Sequence, residues 1–166
     1  MKFAEMILPE FDEEMANTRK VLERVPDDKF EWRCHPKSNT IGWNMNHLAE
    51  IPGWVEGTLT QPAWEAYPEN GPHYTPPNLQ STKEILALFD KNVAEARAAI
   101  AAVPESDLDF VWNLTMKGTP IITMPRRNVI RTFILSHLIH HRAHLCVYLR
   151  LNDIPVAGMY GPSGDE

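Results

Sequence analysis

The stretch NVIRTFILSHLIHHRAHLCVYLRL, residues 128–151, reads as one long helix, stopped by Asn152-Asp153 and Pro155. Four of the seven histidines in the chain lie in it: His137, His140, His141 and His144. At about 100° per residue, His141 sits roughly 40° from His137, His144 about 20° off on the other side and His140 about 60°. All four therefore share one face, and their neighbours there, Ile130, Phe133, Ile134 and Tyr148, are apolar. His137 and His141 are four residues apart, which stacks two imidazoles one turn apart, close enough to share a metal ion. His140 and His144 have the same spacing and form a rival pair that spacing alone does not reject. Mutually close imidazoles repel when charged, so a metal or a neutral state must resolve the cluster.

Two ligands do not make a catalytic metal site, which normally has three protein ligands and an open position. The third must come from another helix. His47 is the histidine placed in one, beside Asn44, Leu48 and Ile51; His35 and His73 fall in loops. A lone histidine on an apolar face is more often a packed core residue, so His47 gains weight only together with the pair. Position 138 is Leu where the H-E-x-x-H metalloprotease motif needs Glu, which disfavours that chemistry. Glu50 follows His47 by three residues and so shares nearly the same face. It is a candidate to orient a ligand or act as a general base, with a solvated charge as the alternative. Arg142 is turned away from His141 by about 100°, and a structural salt bridge is the expected role. Trp43, Trp54, Trp64 and Tyr148 are candidates for pocket walls or core.

Working outward, Phe3, Ile7, Phe11, Met15, Thr18, Leu22 and Val25 step by three and four, one face of a first helix. Pro9 is expected to start its regular part or bend it. A second helix fits residues 40–59, with Ile41, Met45, Leu48, Pro52, Val55 and Leu59 on one face and a kink at Pro52. Five prolines between residues 60 and 80 preclude a helix there. Trp64, Tyr67 and Tyr74 anchor that span as a long crossover. Ser81-Thr82-Lys83-Glu84 is a capping box opening a third helix, whose stripe is Ile85, Phe89, Val93, Ala96, Ile100 and Val103. Residues 108–125 alternate about a Lys117-Gly118 turn and read as a short β-hairpin. Four helices with one long crossover suggest a four-helix bundle, a fold whose metal sites are built from inward side chains.

Composition bounds the rest. The 166 residues fit one domain, taken as 1–166. No run of eighteen apolar residues occurs, so no membrane span is expected. Residues 1–11 lack the build of a signal peptide, so the cytoplasm is the expected location. The net charge of -6, with Arg126-Arg127 the one local basic pair, argues against nucleic acid. Two cysteines, Cys34 and Cys146, do not make a disulfide framework; Cys146 reads as a buried thiol and Cys34 as a loop residue.

The order of these pieces resembles the DinB/YfiT-like superfamily of metal-binding four-helix bundles. The matching pieces are Phe11-Asp12-Glu13-Glu14-Met15, then His35-Pro36-Lys37-Ser38 ahead of His47, then His137-Leu138-Ile139-His140-His141-Arg142-Ala143-His144, and the tail Tyr160-Gly161-Pro162-Ser163. The third piece is similar to the family's H-x-x-x-H-R-G-Q signature, and the likeness covers nearly the whole chain. It implies an all-α, up-down-down-up bundle, often dimeric, with His47, His137 and His141 as ligands and His140 and His144 outside the set. The chain departs from the pattern at Ala143 and His144, where the family usually has Gly and Gln. His144 is thereby open to a role as fourth ligand, supporting donor or simple replacement. The expected cofactor is a divalent transition metal, zinc or nickel. Three neutral imidazoles leave the metal's charge uncompensated, which suits activation of a low-molecular-weight thiol for transfer to an electrophile, as in parts of the resembled superfamily. The alternatives are metal-assisted hydrolysis and a non-catalytic, metal-stabilised dimeric stress or interaction module.

Overall fold

The apolar stripe of the first segment dictates the first element. Phe3, Ile7, Phe11, Met15 and Leu22 are all buried along α1 (Phe3–Leu22) in the computed structural model, which describes residues 2–166. Pro9 neither starts nor breaks this helix. It lies on the exposed face, where a carbonyl deprived of its helical donor can turn to water.

The second segment divides where its proline lies. Thr40 caps α2 (Ile41–Glu50) by accepting from the Trp43 N–H. A 3₁₀ turn, Ile51–Gly53, carries Pro52, and α3 (Trp54–Thr60) continues the rod. Proline removes a helical donor, and the tighter turn absorbs the loss. Gly53 lets another helix come close: a Cβ there would lie 3.1 Å from the Asn92 amide carbon. Asn92 lies on α4 (Thr82–Ala102) and donates to the Ala49 carbonyl at 2.8 Å, tying the two rods together at the break.

Between these rods runs the crossover. Its start forms a strand that the sequence reading did not anticipate, β1 (Ala63–Glu65). β1 pairs in parallel with β2 (Val111–Met116), Trp64 opposite Leu114, and β2 pairs antiparallel with β3 (Thr119–Pro125). The expected hairpin is therefore present and widened to three strands. The chain is mostly helical with a small sheet rather than purely helical. The far end of the crossover is clamped by buried Asn46, which accepts from Leu79 N–H at 2.8 Å and donates to Leu79 carbonyl at 3.0 Å.

The last rod is continuous but not uniform. A first turn, α5 (Arg126–Asn128), leads into a π-helical stretch, Val129–Ser136, and then α6 (His137–Leu151). α1 and α2 both pack on α4 and α6, and the main core lies among them. A second core, Ala66, Trp112, Leu114 and Val129, fills the inner face of the sheet, and Phe133 touches both cores. Cys34 is exposed, Cys146 half-buried, and both are free thiols.

Candidate metal centre

His47 points from α2 towards the start of α6, where His137 and His141 stand one turn apart. The Nε2 atom of His137 lies 3.3 Å from that of His47 and 3.0 Å from that of His141. The three residues offer ligand atoms that all fall within 4.8 Å of one another. Nitrogens held by one tetrahedral ion, with bonds of about 2.0–2.1 Å, stand roughly 3.3 Å apart, so the spacing already suits a single ion.

The outer nitrogens decide which way the lone pairs face. His47 Nδ1 lies 2.7 Å from Glu50 Oε1, and a carboxylate only accepts, so Nδ1 carries the proton and Nε2 the lone pair. His141 Nδ1 lies 3.1 Å from Asn44 Oδ1. That amide is oriented by its own Nδ2, which donates to the His141 carbonyl at 3.1 Å. Nδ1 of His141 is therefore also a donor, and its Nε2 lone pair also faces inward. His137 differs, since no side chain pairs with its buried Nδ1. Two lone pairs thus converge on one point beside a third imidazole, a donor set that fits a divalent transition metal.

Electrostatics favour the same neutral state. Burial, and then the neighbouring His47, push His137 down to about 4. Burial followed by His47 and His137 push His141 down to about 3. Both rings are therefore unprotonated near neutral pH, as metal ligation requires. Behind them, the Tyr74 hydroxyl donates to Glu50 Oε1 at 2.6 Å, and burial together with that carboxylate raises the Tyr74 pKa. Rings close the sides: Trp43 stacks on His47 at 4.7 Å, and Trp54 lies edge-on to it at 5.5 Å.

Of the residues singled out from the sequence, His47, His137 and His141 come together and Glu50 joins them from behind. His140 and His144 pair with each other instead, ring centroids 4.2 Å apart, on the exposed side of α6. His35 and His73 are exposed in loops. Arg142 is buried against Glu14 at 2.6 Å, the structural ion pair expected of it. Asn44 and Tyr74 were not anticipated as parts of the site. Asn44 carried one signal, a polar residue three before His47 and next to the apolar Met45 and Leu48. Tyr74 carried none, because it reaches Glu50 from the crossover. A polar cleft of about 230 Å³ opens onto His141, with Lys37, Ser38, Asn39, His144 and Tyr148 on its rim.

The family model described as DinB superfamily matches residues 10–145. Among solved structures, a DinB-like protein from Bacillus cereus ATCC 10987 superposes with a TM-score of 0.71 at 22% identity, over 94% of this chain and 97% of that one. The DinB-like protein YjoA from Bacillus subtilis gives 0.69 at 15% identity, over 95% and 99%. A mycothiol-dependent maleylpyruvate isomerase gives 0.52 at 14% identity, over 93% of this chain and 67% of that one. No curated protein matches the sequence. No helix among the described residues is long and apolar enough to cross a membrane.

Proposed function

The chain belongs to the DinB superfamily, and we propose that it is a metal-dependent enzyme in which His47, His137 and His141 hold one zinc or nickel ion and a low-molecular-weight thiol is activated for transfer to an electrophile. The observation that carries this reading is the convergence of three Nε2 atoms, two of them with lone pairs turned inward by Glu50 and Asn44. An ion so held supplies uncompensated positive charge at an open position, which lowers the proton affinity of a thiol or water there. The protein supplies the rest. Glu50 holds the His47 tautomer and is itself held by Tyr74. Asn44 holds His141. The polar cleft borders His141 on its Asn44 side, and Lys37 at its rim offers a cation to an acidic thiol bound there.

The thiol is favoured over water as the activated group because Glu50 meets His47 at Nδ1, the ring edge turned away from the Nε2 cluster, and so stands behind the ligand rather than beside a metal-bound water. The name of the mycothiol-dependent structural neighbour points the same way. A non-catalytic module would need a closed coordination sphere. His144, the residue offered for that role, is exposed and stands outside the three-histidine cluster. On family grounds we take the helices as up-down-down-up and the chain as a homodimer.

The test is metal content of purified wild-type protein by mass spectrometry beside His47→Ala and His137→Ala, followed by turnover of a panel of thiols and electrophiles. About one ion per chain, lost in both variants, with metal-dependent thiol consumption, is the expected result. Metal retained in both variants would return the histidines to the core, and a loaded protein without turnover would remove the enzyme reading.

A further inference from the structure

The last helix carries a second pair of histidines that the three-nitrogen cluster does not use. His140 and His144 are exposed on α6, four residues apart, with ring centroids 4.2 Å from each other. That spacing sets two side chains one turn apart on one face of a helix. The same helix supplies a yardstick. His137 and His141 share the spacing, their centroids lie 4.7 Å apart, and their Nε2 atoms approach to 3.0 Å. The outer rings stand closer still. Small rotations therefore bring one nitrogen of each to a shared ion, at bonds of about 2.0–2.1 Å for zinc.

Two further observations separate the pair from ordinary surface residues. Among the described residues no group hydrogen-bonds a ring nitrogen of His140 or His144, whereas Glu50 holds His47 and Asn44 holds His141. Both outer rings are thus free to turn and to offer a lone pair. Their neighbours along that face, Ala143, Val147 and Leu151, are exposed and uncharged, and α6 contains no carboxylate to pair with either imidazole. Lys37 shares the rim of the polar cleft with His144, and its exposed, flexible stem lets the ammonium turn away to water. The pair is also separate from the inner cluster. His141 lies 5.1 Å from His140 and 5.9 Å from His144 between centroids, but its Nδ1 is engaged by Asn44 and its Nε2 faces His137.

We propose that His140 and His144 form a second metal site, which holds a divalent transition ion as a two-nitrogen chelate with water at its remaining positions. Imidazole suits copper, nickel and zinc. Once one nitrogen has taken the ion, the other binds it at the effective concentration set by the helix, so the pair outbinds a single surface imidazole. An ion held by two exposed nitrogens and water exchanges readily and leaves on gel filtration, so it adds nothing to the metal content of the protein as purified. The site does not depend on the metal reading of His47, His137 and His141.

The experiment is equilibrium dialysis of the full chain against nickel, with nitrogen-15 imidazole spectra under zinc as a second readout. Wild type is expected to bind an ion below millimolar nickel that is weaker than any ion at the buried cluster. His144→Gln, a change at an exposed position, should weaken that ion at least about tenfold, because His140 then acts alone. His137→Ala should retain it. Zinc should shift the ring signals of His140 and His144 together and leave those of His35 and His73 in place. No weaker ion in wild type, an undiminished one in His144→Gln, or a shift confined to one ring of the pair would overturn the proposal. Failure of the buried cluster reads differently: His137→Ala then loses no metal, and the ion sensitive to His144→Gln remains.

Discussion

His137 is the least supported member of the histidine cluster, because its Nδ1 lacks the partner that Glu50 gives His47 and Asn44 gives His141. Outer partners of metal-binding histidines fix tautomer and orientation, and their loss typically costs about 10–100-fold in affinity. Glu50→Gln and Asn44→Ala are therefore each expected to weaken metal binding by about that factor, read by competition with a chromophoric chelator. Unchanged affinity in both would mean that the rings are held by packing alone. Proton linkage gives a second prediction for metal-free protein. His137 and His141 titrate at about 4 and about 3 when folded, below the ordinary histidine value, so the unfolded chain binds more protons in the interval. Stability is then fully present above about pH 6.5 and falls as the pH drops towards 4. Melting temperatures of metal-free wild type and His137→Gln across that range should diverge, with the variant falling less. Helical spacing offered two histidine pairs and helix placement offered His47, and the family likeness chose His137 and His141 over His140 and His144. The outer partners were not legible, because hydrogen bonds between helices depend on rotation and offset that a stripe of residues does not encode.

At the scale of elements, legibility followed the strength of the local signal. The four stripes, the Ser81 cap and the Lys117-Gly118 turn all correspond to observed structure, with Glu84 reaching back to the Ser81 hydroxyl instead of its backbone N–H. The strand β1 did not stand out, since three residues in a proline-rich crossover become a strand only by pairing with β2, about fifty residues away in the chain. The π-helical stretch before His137 was equally silent, because Val129, Ile130, Phe133, Ile134 and Leu135 are apolar at both three-to-four and five-residue spacings. The hairpin turn supports two predictions. Lys117 and Gly118 have φ of 51° and 73°, the left-handed pair of a two-residue hairpin turn, where Asn is tolerated far better than Lys. Lys117→Asn should raise stability by about 0.5–1 kcal/mol in denaturant unfolding. A drop would show that the lysine makes contacts worth more than the strain. Glu65 accepts the backbone N–H groups of Tyr67, Lys117 and Gly118, joining the crossover to this turn. The Gly118 N–H leads in holding its carboxyl down to about 2. Its contribution is therefore present above the ordinary carboxylate value and is lost as the pH falls from about 4.5 towards 2. Glu65→Ala should speed hydrogen exchange at the Lys117 and Gly118 amides at neutral pH, and unchanged rates would remove this link.

Across the whole molecule, one polar junction, built on a buried ion pair, joins the first helix, the last helix and the C-terminal tail. Arg142, 2% exposed on α6, reaches Glu14 on α1 at 2.6 Å and also donates to the Glu14 carbonyl and to Thr18. Tyr160 from the tail closes it, its hydroxyl 2.6 Å from the arginine and 2.6 Å from the Glu14 carboxylate. Arg142 directly follows His141, so the junction holds α6 against α1 while the preceding residue faces α2. Removing one partner of a buried pair strands the other charge, and such changes cost about 3–5 kcal/mol, whereas replacing both with apolar side chains is often near neutral. Arg142→Ala is accordingly expected to lose about 3–5 kcal/mol, and Tyr160→Phe only about 0.5–1.5, since the ion pair survives it. The double variant Glu14→Leu with Arg142→Met should recover most of the loss. Metal binding separates anchoring from mere stability. If the junction sets the position of α6, Arg142→Ala will weaken metal affinity under conditions where it remains folded, and the double variant will not restore it even as its melting temperature returns. If both recover together, the junction contributes packing alone, and the histidine geometry is set by the core around α2 and α6.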